Sequence, residues 1–154
     1  GSGTRSFFLS AIGVTEAQLI PGLPTLQEND GNQIDAIGEI VPFSVAGWIA
    51  QDNLATANTI DAHGVTLGSV AGVSPFTATG SLNSAFPFNR LVFNVVETAR
   101  LSGTNDKDVL LQEFFAGSSS ELCSARASLA IYGFAPIGSL CGNTATYKSG
   151  FVAP

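Results

Sequence analysis

The chain is poor in charge. Only 12% of its 154 residues are Asp, Glu, Lys or Arg, and six basic residues against twelve acidic ones leave a net charge of −6. No basic stripe exists to neutralise phosphates, so nucleic acid and anionic membrane surfaces are poor partners. The longest apolar stretch, residues 37–50, is interrupted by Glu39 and Pro42 and is too short to span a bilayer. No signal peptide is visible, which fits either a cytosolic chain or a mature secreted one.

Methionine is absent, and lysine occurs only twice. Apolar residues nevertheless make up 45% of the chain, enough to bury a sizeable core. Low hydrophobicity with high net charge is the signature of disorder, so this composition predicts a folded chain. The length is close to that of one ordinary domain and makes two full domains unexpected.

Cysteine is scarce: Cys123 and Cys141 are the only two, and they lie 18 residues apart. Two cysteines without a His or Cys cluster do not make a four-ligand metal site, so none is expected. The pair forms either a disulfide or two buried thiols. Low charge and abundant Ser, Thr, Asn and Gly favour an exported protein, in which oxidation is permitted. We therefore predict a Cys123–Cys141 disulfide.

The hydrophobic pattern predicts mixed helices and strands with short connections. Helices are expected over residues 4–12, 34–39, 45–51, 106–116 and 118–133, and strands over 40–44, 65–73 and 90–97. Thr15 and Gln18 have the spacing of a capping box, although Pro21 and Pro24 end any helix that they start. This order of elements is typical of a layered α/β domain.

Residues 1–4, Gly-Ser-Gly-Thr, precede an apolar helix and bring free backbone N–H groups and two hydroxyls to its positive end, a ready anion site. The alternative is a Gly-Ser cloning scar followed by a Thr N-cap. Arg5 could reach back toward an anion, although pairing with an acidic residue is favoured. Asp30 could lie in a loop near the ligand, although Asp-Gly is more typical of a turn.

Little in the sequence indicates catalysis. His63 is the only histidine and has no metal-ligand spacing around it, so a solvated turn is favoured. Asp106 and Asp108 are typical of a helix start, because the glycine and distal glutamate of a calcium loop are missing. The serines at 118–120 lack a nucleophile motif and a base. We expect a protein that is not an enzyme and has no cofactor.

The order of these motifs resembles a known family. A Gly-Ser-Gly-Thr run before a helix, an Asn-Asp-Gly loop, Ile-Val-Pro-Phe-Ser with a helix, and Phe-Asn-Arg-Leu-Val-Phe-Asn-Val-Val as a strand are similar to phosphate-type substrate-binding proteins of ABC importers. Residues 114–141 resemble secreted actinobacterial members of that group. The resemblance covers nearly the whole chain, and its sharpest element is the run at residues 1–4.

The resemblance implies a type II periplasmic-binding-protein-like fold, in which two α/β lobes with mixed sheets flanked by helices close on an oxyanion. Residues 1–88 would be the second lobe, and residues 89–154 a crossing strand with the C-terminal part of the first lobe. The helix-start donors carried over from the family are Ser2, Gly3 and Thr4, and Arg5 and Asp30 complete the candidate ligand-binding set. The family's Arg before the motif and the N-terminal part of the first lobe are missing. The chain is therefore expected to be a fragment, or a homologue whose partner segment lies on another chain.

The function that this resemblance implies is extracellular binding of phosphate or a similar oxyanion for uptake. An ABC permease is a further expected partner, and the chain itself is not expected to insert in a membrane. The alternative is a cell-surface interaction or structural domain that reuses the fold and binds no small anion.

Overall fold

The computed structural model describes residues 3–27, 29–53 and 65–146. Within these ranges lie the helices α1 (Gly3–Ala11), α2 (Val45–Asp52), α3 (Asp106–Phe115), α4 (Glu121–Ser124) and α5 (Arg126–Ile131). Short 3-10 turns cover Glu16–Gln18, Gly31–Gln33, Thr98–Leu101 and Gly138–Leu140. The chain divides into two compact units, Gly1–Arg90 with Ala130–Ala135, and Leu91–Leu129 with Pro136–Pro154.

No β-strand occurs among the described residues, so the expected α/β fold is wrong, and with it the mixed sheet of a type II periplasmic-binding-protein-like lobe and the partial two-lobed architecture. Backbone pairing of the strand type is limited there to two isolated bridges, Val70 with Val73 and Phe76 with Leu82. The segments at 40–44, 65–73 and 90–97 have strand-like composition, but among the described residues they pair with no second strand. The alternation of apolar and polar residues indicates that a segment would fit a sheet. A sheet also depends on a neighbouring strand, and the alternation does not predict one.

The helices of the first unit follow local signals. α1 ends at Ala11, shortly before Gly13, whose φ of +70° is the left-handed conformation that ends many helices. Ser44 caps α2, because its side chain accepts a hydrogen bond from the amide of Gly47 at 3.2 Å. The helices predicted at 4–12 and 45–51 are thus confirmed.

The helix predicted at 34–39 is wrong. The carboxylate of Glu39 accepts hydrogen bonds from the amides of Asp35 at 3.1 Å and Ala36 at 3.2 Å, and the segment forms a turn. Side-chain acceptors that capture nearby amides offer the backbone an alternative to helix, and here that alternative prevails.

The helices of the second unit are capped by short polar side chains. Asn105 accepts from the amide of Asp108 at 3.1 Å and begins α3, as the acidic first turn predicted. The helix expected at 118–133 is instead two helices separated at Ala125. Ser120 caps α4, because its side chain accepts a hydrogen bond from the amide of Cys123 at 3.4 Å. The capping-box spacing of Ser118 and Glu121 predicts the cap at Ser118, two residues too early.

The core of the first unit is aromatic and aliphatic. Its buried apolar residues are Leu9, Ile49, Ala50, Pro75 and Phe86. Around them, Phe88 makes edge contacts with Phe8 at 6.2 Å and with Phe86 at 6.1 Å between ring centroids. Such ring pairs stabilise a core beyond the area that they bury. They place α1 against the segment that ends at Arg90.

The second unit is held by a covalent bond. Cys123 and Cys141 form the predicted disulfide, with Cα atoms 5.8 Å apart, and Cys123 is buried. The bond joins α4 to the end of the Gly138–Leu140 turn. Beside it, the amide of Gly117 donates to the carbonyl of Gly142 at 2.8 Å.

No helix in the described part of the chain is long and apolar enough to cross a bilayer.

Candidate functional site

The candidate site lies at the N-terminus of α1. Its first residues, Gly3 and Thr4, are exposed and half-buried, respectively, and neither makes a hydrogen bond within the described ranges through its amide. The first amides of an α-helix have no acceptor within the helix, and they carry the positive end of its dipole. α1 is nine residues long. Its N-terminus can therefore donate to an anion.

A cation lies beside this helix end. Nη2 of Arg90 is 3.9 Å from the position that a Cβ would occupy on Gly3, and Cζ of Arg90 is 5.1 Å from the centroid of the Phe7 ring. The aromatic face attracts the guanidinium and fixes where it lies. Arg90 makes no ion pair with a carboxylate of the described residues, so its donors remain available.

Arg5 is directed elsewhere. Its Nε donates to Oε1 of Glu16 and its Nη2 to Oε2 of the same carboxylate, both at 2.8 Å. This bidentate hydrogen bonding raises the pKa of Arg5 and lowers the pKa of Glu16. The pair links α1 to the turn Glu16–Gln18, which leaves less of the Arg5 charge for an external anion.

Asp30 caps its own turn. Its carboxylate accepts from the amide of Asn32 at 3.1 Å and from Nε2 of Gln33 at 2.7 Å. No hydrogen bond or ion pair among residues 3–27, 29–53 and 65–146 joins Asp30 to α1. Ser2, the remaining member of the predicted set, lies outside the described residues, as does His63.

In the ranges that the structure describes, no cluster of His, Cys, Asp and Glu could hold a metal ion. The acidic start of α3 is a structural element, because Asp108 pairs with Arg100 at 2.7 Å and accepts from Asn105 at 2.5 Å. These bonds lower the pKa of Asp108, the Arg100 hydrogen bond having the largest effect.

Arg90 is the residue that sequence reasoning missed. The sequence pattern places it at the start of a strand, and 87 positions separate it from Gly3. No local spacing signals a contact over that distance. One signal in the sequence indicates that Arg90 has a special position. The chain has only six basic residues, and this one follows Phe86 and Phe88 closely.

Comparison of the chain with protein-family models, with curated proteins and with solved structures finds no match. What the site does must therefore be argued from its own chemistry. That chemistry is donation: amides at a helix N-terminus, the Thr4 hydroxyl and the Arg90 guanidinium are hydrogen-bond donors that suit an anion.

Proposed function

We propose that the protein is an extracellular binding module for phosphate or a chemically similar oxyanion, which it holds at the N-terminus of α1 against Arg90. The observation that carries the proposal is the Arg90 guanidinium, 3.9 Å from the Cβ position of Gly3 and without a carboxylate partner among the described residues. Helix dipole and guanidinium act in the same direction there, and both attract negative charge.

Glycine at position 3 supports the same proposal. A Cβ at this position would lie at ordinary van der Waals distance from Arg90, so glycine keeps the helix amide and the guanidinium on either side of a small unfilled space. Phosphate presents several acceptor oxygens in a tetrahedral arrangement, so it can accept from both groups at once. The disulfide supports the extracellular location, because such bonds persist in oxidising compartments.

The proposal stops at binding. Delivery to an ABC permease depends on two lobes that close around the ligand, and the α/β lobe that this requires is not the fold of the described residues. The site is open at the surface, since Gly3 and Arg90 are both exposed. Surface charges are screened by salt, so we expect affinity in the millimolar range, equivalent to about 4 kcal/mol of binding free energy.

The test is titration of inorganic phosphate into the full chain, followed by amide chemical shifts in NMR. We expect shifts at Gly3 and Thr4 that saturate at millimolar phosphate and weaken as sodium chloride is raised. Arg90→Gln should weaken binding by about fivefold or more, because it removes a charged donor. Lys107→Gln removes the same charge from an exposed position in the other unit and should leave the affinity unchanged. Equal effects of the two substitutions, or no saturable shifts at α1, would exclude the proposal.

The second candidate function is a cell-surface interaction domain. Residues 91–96 favour it, because most of their large apolar side chains are exposed. A chain that associates through these residues and shows no phosphate-dependent shifts would have this function instead.

A further inference from the structure

The ion pair between Arg5 and Glu16 begins in the first turn of α1. Arg5 is the third residue of this helix, and it lies about 3 Å further along the helix axis than Gly3, since each residue advances an α-helix by about 1.5 Å. The Cα–Cβ bonds of a helix tilt toward its N-terminus. The Arg5 side chain therefore leaves the backbone toward the helix end at which an anion would bind.

The Arg5 guanidinium is nevertheless bound to the Glu16 carboxylate. Its Nε and Nη2 both donate at 2.8 Å, one to each carboxylate oxygen. The pair is open to solvent, since the side chain of Arg5 is 37% exposed and that of Glu16 is 63% exposed. Exposed ion pairs contribute little to stability, because water and salt screen them. The effect of this pair should therefore be found at the anion site rather than in the stability of the fold.

Local backbone structure positions Glu16 without help from its own side chain. After α1, the amide of Val14 donates to the carbonyl of Leu9 at 2.9 Å. The amide and the hydroxyl of Thr15 then donate to Oε1 of Gln18, at 2.8 Å and 2.9 Å. These bonds fix the turn that directly follows α1. A substitution of the Glu16 side chain should therefore leave the turn intact.

We propose that Glu16 limits the affinity of the anion site by holding Arg5 away from it. This inference rests on the proposed function of that site. When the charge of Glu16 is removed, the Arg5 guanidinium is released and becomes a second cation, in addition to Arg90, for an anion at Gly3. Guanidinium groups form strong, charge-assisted hydrogen bonds with carboxylates and phosphates alike. The Glu16 carboxylate and the bound anion thus compete for the same donors of Arg5.

The experiment is titration of inorganic phosphate into the full chain and its variants, followed by NMR of the backbone amides and of the Arg5 Nε–H group. We expect Glu16→Gln to tighten phosphate binding by about threefold, which is the size of effect that exposed charge pairs have. Glu16→Ala removes the acceptor altogether and should tighten binding at least as much. In both variants, phosphate should shift the Nε–H signal of Arg5 more than it does in the wild-type chain.

Two matched variants separate the release of Arg5 from a simple change in net charge. Asp35→Asn removes one negative charge from an exposed side chain that has no hydrogen bond or ion pair within the described ranges, and it should leave the affinity unchanged. Arg5→Gln combined with Glu16→Gln keeps the net charge of the wild-type chain and should return the affinity to the wild-type value.

The outcomes distinguish this inference from the proposed function. Equal gains from Glu16→Gln and Asp35→Asn, or an Arg5 signal that phosphate does not shift in the Glu16→Gln chain, would overturn the role of Glu16 and leave the anion site in place. If no chain shows saturable shifts at α1, the proposed function is wrong, and this inference is wrong with it.

Discussion

The sharpest test of the fold compares two phenylalanines. Phe86 is only 6% exposed, and its ring lies 6.1 Å from that of Phe88 in the core of the first unit. Phe93 is 54% exposed and lies in the stretch that the sequence pattern predicts to be a buried strand. The substitutions Phe86→Ala and Phe93→Ala therefore remove the same atoms from an enclosed site and from a half-open one.

The expected costs differ severalfold. Phe86→Ala leaves a cavity among packed side chains, and such truncations reduce the free energy of unfolding by about 3–5 kcal/mol. Full burial of a phenylalanine side chain contributes about 3 kcal/mol at most. Less than half of the Phe93 surface is removed from water, so Phe93→Ala should cost about 1 kcal/mol. A strand buried in a sheet core would have required the larger value at both positions.

The assay is urea denaturation of dilute protein, followed by far-UV circular dichroism and by the fluorescence of Trp48. Trp48 packs against Phe76 at 5.0 Å between ring centroids in the same unit as Phe86, so its emission reports unfolding of that unit. A loss of 3 kcal/mol or more at Phe93, with a small loss at Phe86, would refute the assignment of the core.

Further substitutions test individual elements. Replacing both Cys123 and Cys141 by Ala should lower the free energy of unfolding by about 3 kcal/mol, because the bond closes a loop with a sequence separation of 18; the same melting curve with and without the bond would contradict this. Asp108→Asn should destabilise the chain at neutral pH more than Asp106→Asn, its neighbour in the same helical turn. Because Arg100 lowers the pKa of Asp108, this difference should persist above about pH 4 and vanish in acid titration as pH falls through the lowered pKa, and a difference that grows in acid would be inconsistent with the pairing. Gly133→Ala should cost about 2 kcal/mol or more and exceed Gly72→Ala in thermal melts: φ is +76° and +77° at the two glycines, but only at Gly133 would a Cβ lie 2.6 Å from Cα of Ala46, so equal costs would place the whole effect in backbone strain.

Features written in adjacent residues could be predicted from the sequence. The capping box at Thr15 and Gln18 forms as its spacing indicates, since the Thr15 amide donates to Oε1 of Gln18 at 2.8 Å. α3 begins where the acidic first turn predicted, and α1 ends before Gly13. In each case, the interacting residues lie within a few positions of each other, so the local sequence is enough to predict the interaction. The disulfide was predictable for another reason, because two cysteines allow only one intramolecular bond.

Features that depend on distant partners could not be predicted in this way. The segment 90–97 has the alternation of a strand, but the pairing that would make it one is not encoded within it. The pattern places Arg90 at the start of that strand, whereas its guanidinium lies over Phe7 and beside Gly3, near the N-terminus of the chain. Ring contacts between Phe8 and Phe88 bring these segments together. The proximity of Arg90 to Gly3 is therefore seen only in the packed first unit. The family resemblance did not predict it.

The position of the candidate site follows from how the few cations are used. Of the five basic residues in the described ranges, two are neutralised locally, since Arg5 pairs with Glu16 and Arg100 with Asp108. Arg90 differs because its neighbours are an aromatic ring and the amides of a helix start, and neither of these cancels its charge. In a protein with a net charge of −6, a cation beside free helix amides is a favourable position for an anion. The distribution of charge, rather than its amount, is therefore what favours α1 as the position of the proposed anion site.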